Sequence, residues 1–196
     1  MPRTGEVTNT RQVIIAAGYD ALTRYGLAKL SLGDVARHAG LSRQTVYRYF
    51  RTREELIVTA MLQELHEVVR QVDDAVSMHD DLRGAIEALF RCVLELAERH
   101  ELLNRLLKDE PEAILPYLTT ESSGVLAAAV PILQAMAAER VRGVPTDDLR
   151  RFADTAIRLL VSHMVYRSSE PAAAVASRVA GLLVDGFQPA RAEVEG

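Results

Sequence analysis

The sequence predicts an all-α protein. No run of alternating β-branched or aromatic residues, bounded by Asn-Gly or Asp-Gly turns, occurs along its 196 residues. Apolar residues instead recur at helical spacing, between glycines and serines placed where helices are expected to end and begin. The chain is 48% hydrophobic and 26% charged, which is typical of a globular protein and excludes a disordered or collagen-like one.

The first two helices are marked by a stop and a start. A helix is predicted over about residues 10–25, and Gly26 ends it because glycine readily adopts a C-terminal left-handed conformation. Ser31 followed by Asp34 resembles a capping box, which opens a short second helix. That helix is predicted to end just before Gly40.

A tight turn leads into the third helix. Gly40 is free to adopt positive φ, and Leu41 provides an apolar contact at the corner. Ser42 can cap the next helix, which is predicted to run to Phe50. Two short helices joined by three or four residues have the sequence form of a helix-turn-helix. The N-terminal part of the chain is therefore predicted to be a three-helix domain of this kind.

The remainder is predicted to be a helical bundle. Thr52 and Glu55 form another capping box, which opens a long fourth helix toward Val76. Further helices are predicted over about 82–99, 101–108, 111–119, 123–141, 147–167 and 171–187. The last two are apolar on two sides, so each needs a second cover besides its own domain.

Charge is divided unevenly along the chain. Residues 1–53 hold nine Arg or Lys against three Asp or Glu, a net +6, whereas the rest carries −10. A basic N-terminal module facing a polyanion fits this division.

The only cysteine, Cys92, rules out an intramolecular disulfide and fits a reducing compartment. The sequence shows neither the apolar stretch of a signal peptide nor one long enough to span a membrane. We therefore expect a cytoplasmic protein that is neither exported nor membrane-spanning.

The third predicted helix carries side chains suited to DNA. With Val46 and Phe50 on the core side, its other residues lie at or near the surface. Arg43 and Gln44 can pair with base edges, and the Thr45 methyl can meet a thymine methyl. The tyrosine hydroxyls can hold phosphates. The residues at or near the surface of this helix are Arg43, Gln44, Thr45, Tyr47, Arg48 and Tyr49.

At this point the sequence resembles the tetracycline-repressor (TetR) family of bacterial transcription regulators. The resemblance covers about residues 14–56 and rests on the segments SLGDVA at 31–36, AGLS at 39–42, TVYRYF at 45–50 and REEL at 53–56. It implies phosphate contacts by Ser31, Tyr47, Tyr49 and Arg53. It implies that Arg43, Gln44, Thr45 and Arg48 face bases, and we include the cap Ser42 in the DNA-binding set.

The resemblance also implies two domains, a homodimer, and binding of both DNA and a small molecule. Residues 1–52 would form the DNA-binding domain, and residues 53–196 a regulatory and dimerisation domain with a ligand cavity. A homodimer through residues 147–187 would bind an inverted-repeat operator in double-stranded DNA. Polar or bulky side chains on predicted inward faces are the candidate contacts for a small organic effector: His66, Phe90, Cys92, Asn104, Tyr117, Met136 and His163.

The leading hypothesis is a ligand-responsive regulator, a repressor that a small apolar molecule releases from its operator. The histidines lack metal-binding spacing and the chain lacks phosphate-cradling or nucleophile-elbow motifs, so we expect no metal, cofactor or enzymatic activity. A helical small-molecule-binding protein or enzyme that does not use DNA is the alternative, and the basic segment 43–53 argues against it. An activator of transcription fits the sequence as well as a repressor does.

Overall fold

The all-α prediction is confirmed. The computed structural model describes residues 4–119 and 125–187, and within these ranges the chain forms ten helices and no strand. The helices are α1 (Thr4–Tyr25), α2 (Leu32–Ala39), α3 (Arg43–Tyr49), α4 (Arg53–Val76), α5 (Leu82–Arg99), α6 (Glu101–Asp109), α7 (Pro111–Thr119), α8 (Val125–Arg140), α9 (Thr146–Val165) and α10 (Ala172–Asp185).

The largest difference from the predicted bounds is at α1. It begins at Thr4 rather than near residue 10, because backbone hydrogen bonding extends the helix ahead of the apolar residues that predict it. The predicted start of the eighth helix at residue 123 lies outside the described residues. The other predicted ends agree with the structure to within about two residues.

Contacts between residues divide the chain into two compact units. The first unit comprises Met1–Glu64 and Leu102–Val125, and the second comprises Leu65–Glu101 and Leu126–Gly196. Helix α4 contributes residues to both, whereas α7 and nearly all of α6 belong with the helix-turn-helix. The compact unit around α1 to α3 is thus larger than the predicted DNA-binding segment.

The core of the first unit fixes the inner sides of its helices. Ile14 of α1, Val35 of α2 and Val46 of α3 are all fully buried, and Phe50 closes the end of α3. Leu106 of α6 packs in the same cluster, 4% exposed. Because Val46 anchors α3 from within, the opposite side of this short helix is left to solvent.

The core of the second unit is built mainly from α5, α9 and α10, and α4 and α8 add buried residues to it. Phe90 and Ile86 of α5 are fully buried, and Ala176 and Ala180 of α10 pack in the same cluster with no exposure. Small residues at four-residue spacing allow α10 to lie closely along α5. One side of α10 is therefore satisfied inside its own unit.

Candidate nucleic-acid interface

Two serines fix the starts of α2 and α3. The Ser31 hydroxyl accepts a hydrogen bond from the Asp34 N–H at 3.2 Å and donates to the Asp34 carboxylate at 2.6 Å. The Ser42 hydroxyl accepts from the Thr45 N–H at 3.0 Å and bonds the Thr45 hydroxyl at 2.8 Å. Both predicted caps are confirmed. Because each hydroxyl serves its own helix, the predicted contacts of Ser31 and Ser42 with DNA stay predictions.

The turn between the two helices depends on Gly40. Its φ of +64° lies in the left-handed region, which glycine adopts without steric cost. The following Leu41 N–H donates to the Ala36 carbonyl at 2.9 Å, which closes the end of α2. This turn sets α3 against α2 with Val35 and Val46 facing inward, so the outer side of α3 has a fixed orientation within the first unit.

The outer face of α3 presents three unengaged side chains. Arg43, Gln44 and Tyr47 are exposed, and they make no hydrogen bond or ion pair with any described residue. Tyr47 exposes 52% of its surface, although an aromatic ring gains stability from burial. Their donors and acceptors are therefore available to base edges and phosphate oxygens. We call Arg43, Gln44 and Tyr47 the free trio.

The remaining predicted contacts on α3 already have partners in the fold. The exposed Arg48 guanidinium lies 5.4 Å from the centroid of the Tyr49 ring, a cation–π arrangement. Tyr49 is half-buried and packs against the core of the first unit. Thr45 is half-buried, with its hydroxyl bonded to Ser42. A contact between these three residues and DNA stays a prediction.

Arg53 lies at the first position of α4 and reaches back to the loop between α1 and α2. One of its terminal nitrogens donates to the Leu27 carbonyl at 3.4 Å and to the Ala28 carbonyl at 3.2 Å. Its Nε donates to the Glu54 carboxylate at 2.6 Å. The side chain stays 41% exposed, so a predicted phosphate contact would share the guanidinium with this loop.

Two residues much later in the chain hold this loop and the end of α1 that precedes it. The Glu110 Oε2 accepts a hydrogen bond from the Ala28 N–H at 2.7 Å. The Arg105 guanidinium donates to the Leu22 carbonyl at 2.8 Å and also to the Thr23 carbonyl, in the last turn of α1 just before the loop. Sequence reasoning missed both, because no local pattern connects residues 82 or 83 positions apart. We call Arg53, Arg105 and Glu110 the loop clasp.

The charge beside α3 favours a polyanion. On α2, Asp34 forms an ion pair with Arg37. The Ser31 hydroxyl, and then the Arg37 guanidinium, hold the pKa of the Asp34 carboxyl below its usual range. Asp34 is thus ionised at neutral pH but already paired, while the positive charge of Arg43 has no acidic partner among the described residues.

The predicted effector residues are not gathered at one place. The structure buries Phe90 completely in the core of the second unit and exposes His66 on α4. Burial raises the pKa of the Cys92 thiol, which makes it a poorer nucleophile. The other four are half-buried, Met136 and His163 in the second unit and Asn104 and Tyr117 in the first.

His163 lines a groove in the second unit. The groove has a volume of about 300 Å³ with its open mouth included, and α5, α9, α10 and the turn before α10 form its walls. Its lining is half apolar, including Leu94 and Met164, and half polar, including Glu98 and Glu170. Arg167, at its edge, donates to the Ala97 carbonyl at 2.8 Å. Of the seven predicted effector residues, His163 is the one that lines this groove.

The described parts of the chain lack both a cluster of metal ligands and a helix suited to crossing a membrane. Among those residues, no three His, Cys, Asp or Glu side chains are grouped so as to hold a metal ion. None of the described helices is both long enough and apolar enough to cross a membrane.

Comparison with known families gives two matches that together cover most of the chain. Residues 14–60 match a family model described as bacterial regulatory proteins, tetR family. Residues 81–185, more than half of the chain, match a model described as the bacterial tetracyclin repressor C-terminal domain.

Individual proteins resemble the chain over part or most of its length. An uncharacterized HTH-type transcriptional regulator of Mycobacterium tuberculosis is 26% identical over 164 residues, which are 81% of this chain and 76% of its own. The HTH-type transcriptional regulator TtgR of Pseudomonas putida is 36% identical over 83 residues, 42% of this chain and 34% of its own. The crystal structure of the TetR family repressor AlkX from Dietzia superposes with a TM-score of 0.71 at 22% identity, covering 90% of this chain and 96% of AlkX.

Proposed function

The chain belongs to the bacterial tetracycline-repressor (TetR) family of DNA-binding transcriptional regulators, and we propose that it is a repressor which a small, largely apolar molecule releases from its operator. The observation that carries DNA recognition is the free trio on α3, exposed and without partners in the fold. The similar curated proteins are named as transcriptional regulators, which favours this function over a helical enzyme that does not use DNA. Its site of action would be the bacterial cytoplasm.

Selection of binding sites from random DNA duplexes tests the first half of the proposal. We expect the wild-type chain to enrich an inverted repeat, because a two-fold dimer presents two copies of α3 to successive major grooves. Gln44→Ala should change which base is preferred, at a cost of about 1–3 kcal/mol in discrimination. Tyr47→Phe should weaken all sequences similarly, because it removes only a hydroxyl suited to phosphate.

The contrast between these two variants supplies the control. Tyr47→Phe keeps the ring and its packing, so a shift in base preference in this variant would contradict the phosphate assignment. Folded wild-type protein that enriches no site at moderate salt would contradict operator binding through α3.

We propose a homodimer through residues 147–187. Support comes from apolar side chains that the second unit leaves uncovered: Leu182 on α10 is 70% exposed, and Tyr166, just after α9, is 84% exposed. Leu183 is instead 9% exposed and packs in the core of its own unit. A charge at position 182 therefore tests assembly, whereas a charge at 183 would also disrupt folding.

Leu182→Arg is the variant to measure by light scattering in dilute solution. We expect it to have the mass of one chain and to lose tight operator binding. Met78→Arg is the matched control, because Met78 is 80% exposed and lies between α4 and α5, outside residues 147–187. A wild-type chain that has the mass of one chain contradicts the dimer, and a monomeric Met78→Arg contradicts its placement.

The groove beside His163 is the effector site that the structure supports best. Its walls combine apolar side chains with polar ones, a combination suited to a small molecule that carries both kinds of group. His163 is half-buried there, and its side chain makes no hydrogen bond with the described residues. Its imidazole is therefore available to orient an apolar ligand that carries one hydroxyl or carbonyl group.

Operator release by long-chain alcohols and substituted phenols provides the assay. We expect His163→Ala to raise the concentration needed for release about tenfold, equivalent to about 1.4 kcal/mol of binding free energy. His66→Ala is the matched control, because this exposed histidine on α4 does not line the groove. If both variants and the wild type need the same ligand concentration for release, the groove is not the effector site. If only His66→Ala needs a higher concentration, the exposed face of α4 is favoured instead.

A further inference from the structure

Gly33 of α2 lies directly beside the Arg43 side chain of α3. A methyl group placed on Gly33 would be 3.3 Å from each of three guanidinium-end atoms of Arg43: Cζ, Nε and Nη2. Spacing this tight is rare for Cβ atoms, so one of the two groups would have to move. The absent side chain of Gly33 thus leaves the space in which the Arg43 guanidinium lies.

The Arg43 guanidinium belongs to an exposed residue and lies beside Gly33. The guanidinium makes no hydrogen bond or ion pair with any described residue. The carboxylate of Asp34, which follows Gly33 on α2, is already bonded to the Ser31 hydroxyl and to Arg37. No polar group among the described residues therefore draws Arg43 to a different place, and its guanidinium N–H donors remain available to DNA.

The fold itself does not require glycine at position 33. The backbone there is an ordinary helical one, and the positive φ values that favour glycine occur at Gly26, Gly40 and Gly143 instead. Glycine within a helix is also less stable than alanine. Alanine at position 33 would thus make α2 itself more stable. What glycine provides there is space for the Arg43 guanidinium.

We propose that Gly33 is a positioning residue for base recognition, which sets the guanidinium of Arg43 in the place from which it reads a base. This inference rests on DNA binding through α3. An arginine that pairs with a guanine presents two N–H groups in one plane to O6 and N7, so its position and tilt decide whether both bonds form. A methyl group on Gly33 moves the guanidinium and weakens discrimination at the base that Arg43 contacts, without touching DNA.

A double-variant series tests this role on the full-length chain. Wild type, Gly33→Ala, Arg43→Ala and the double variant are compared by site selection on random duplexes, with relative affinity for each base at each position as the readout. Arg43→Ala is expected to reduce discrimination on the order of tenfold at one position of each half-site. Gly33→Ala is expected to reduce discrimination at that same position about threefold or more, and in the Arg43→Ala background to have no further effect.

Lys29→Ala is the control, because it removes an exposed cation from the loop before α2 while leaving Gly33, the Asp34–Arg37 ion pair and Arg43 in place. It should leave base preference at the Arg43 position unchanged. Thermal unfolding checks folding, and Gly33→Ala is expected to be at least as stable as wild type because of its better helix propensity.

The outcomes separate this inference from operator binding itself. If wild type enriches a site and Gly33→Ala keeps the same preference, the role of Gly33 is overturned while the regulator remains. Equal effects of Gly33→Ala with and without Arg43, or a change at a different base, also overturn it, as does an Arg43→Ala variant with unchanged preference. Wild-type protein that enriches no site contradicts operator binding, and the role of Gly33 with it.

Discussion

Replacing Glu110 by alanine isolates one element of the loop clasp. The carboxylate of Glu110 reaches from the start of α7 to the loop between α1 and α2, where Oε2 accepts from the Ala28 N–H at 2.7 Å. The alanine variant leaves this N–H without its charged acceptor. The α1–α2 loop precedes Ser31, so we expect the variant to loosen the approach to the helix-turn-helix while the hydrophobic core of the first unit stays intact.

The size of the effect follows from the kind of bond and its exposure. A hydrogen bond to a charged group contributes about 1.5–3 kcal/mol to stability. Ala28 is exposed, so water can replace part of the bond, and we expect a loss at the lower end, about 1.5 kcal/mol. Because 1.4 kcal/mol corresponds to a factor of ten, the Ala28 amide should open roughly ten times more often.

Hydrogen exchange of the peptide that contains Ala28 measures this opening directly. Glu110→Gln should restore most of the protection, because the amide oxygen can still accept from the same N–H. Glu112→Ala is the matched control, since it removes an equal charge from an exposed position on the first turn of α7. Equal exchange at Ala28 in the Glu110→Ala and Glu112→Ala variants would refute the reasoning.

Three further predictions concern stability, each measured by chemical denaturation. Gly26→Ala should destabilise the first unit by more than about 1 kcal/mol, because φ is +79° and the added methyl would overlap the Glu110 carboxylate. Phe90→Ala should cost the second unit about 3–5 kcal/mol, because it empties a fully buried site. The folded-state pKa of Asp34 is lowered, so the stability lost in Asp34→Asn should be constant above about pH 5 and shrink as the pH falls through that pKa.

The helix-turn-helix could be predicted because its information lies in neighbouring residues. The Ser31–Asp34 and Ser42–Thr45 pairs cap their helices over three residues, and Gly40 turns the chain between them. Local hydrogen bonds of this kind give a fixed spacing in the sequence. The loop clasp has no such spacing, since Glu110 and Ala28 lie 82 positions apart, and the membership of α6 and α7 in the first unit was missed for the same reason.

The effector residues show a different limit of sequence reasoning. Helical spacing identifies the apolar side of a helix, but it does not show which neighbour covers that side or whether a gap remains. Phe90 lies on the apolar side of α5 and is packed without exposure, whereas His163, on α9, borders a groove. The two are equivalent as inward-facing candidates in the sequence, and they differ in how the neighbouring helices and the turn before α10 pack around them.

Helix α10 shows how one apolar pattern can serve two purposes. Its buried side, with Ala176 and Ala180, packs in the cluster that contains α5, so its small residues are explained by contacts within one unit. Leu182 lies on the other side, and with 70% exposure it is not explained by those contacts. A leucine costs free energy when left in water, and a second copy of the chain would remove that cost. Position 182, rather than its buried neighbour Leu183, is therefore where assembly can be changed without changing the fold.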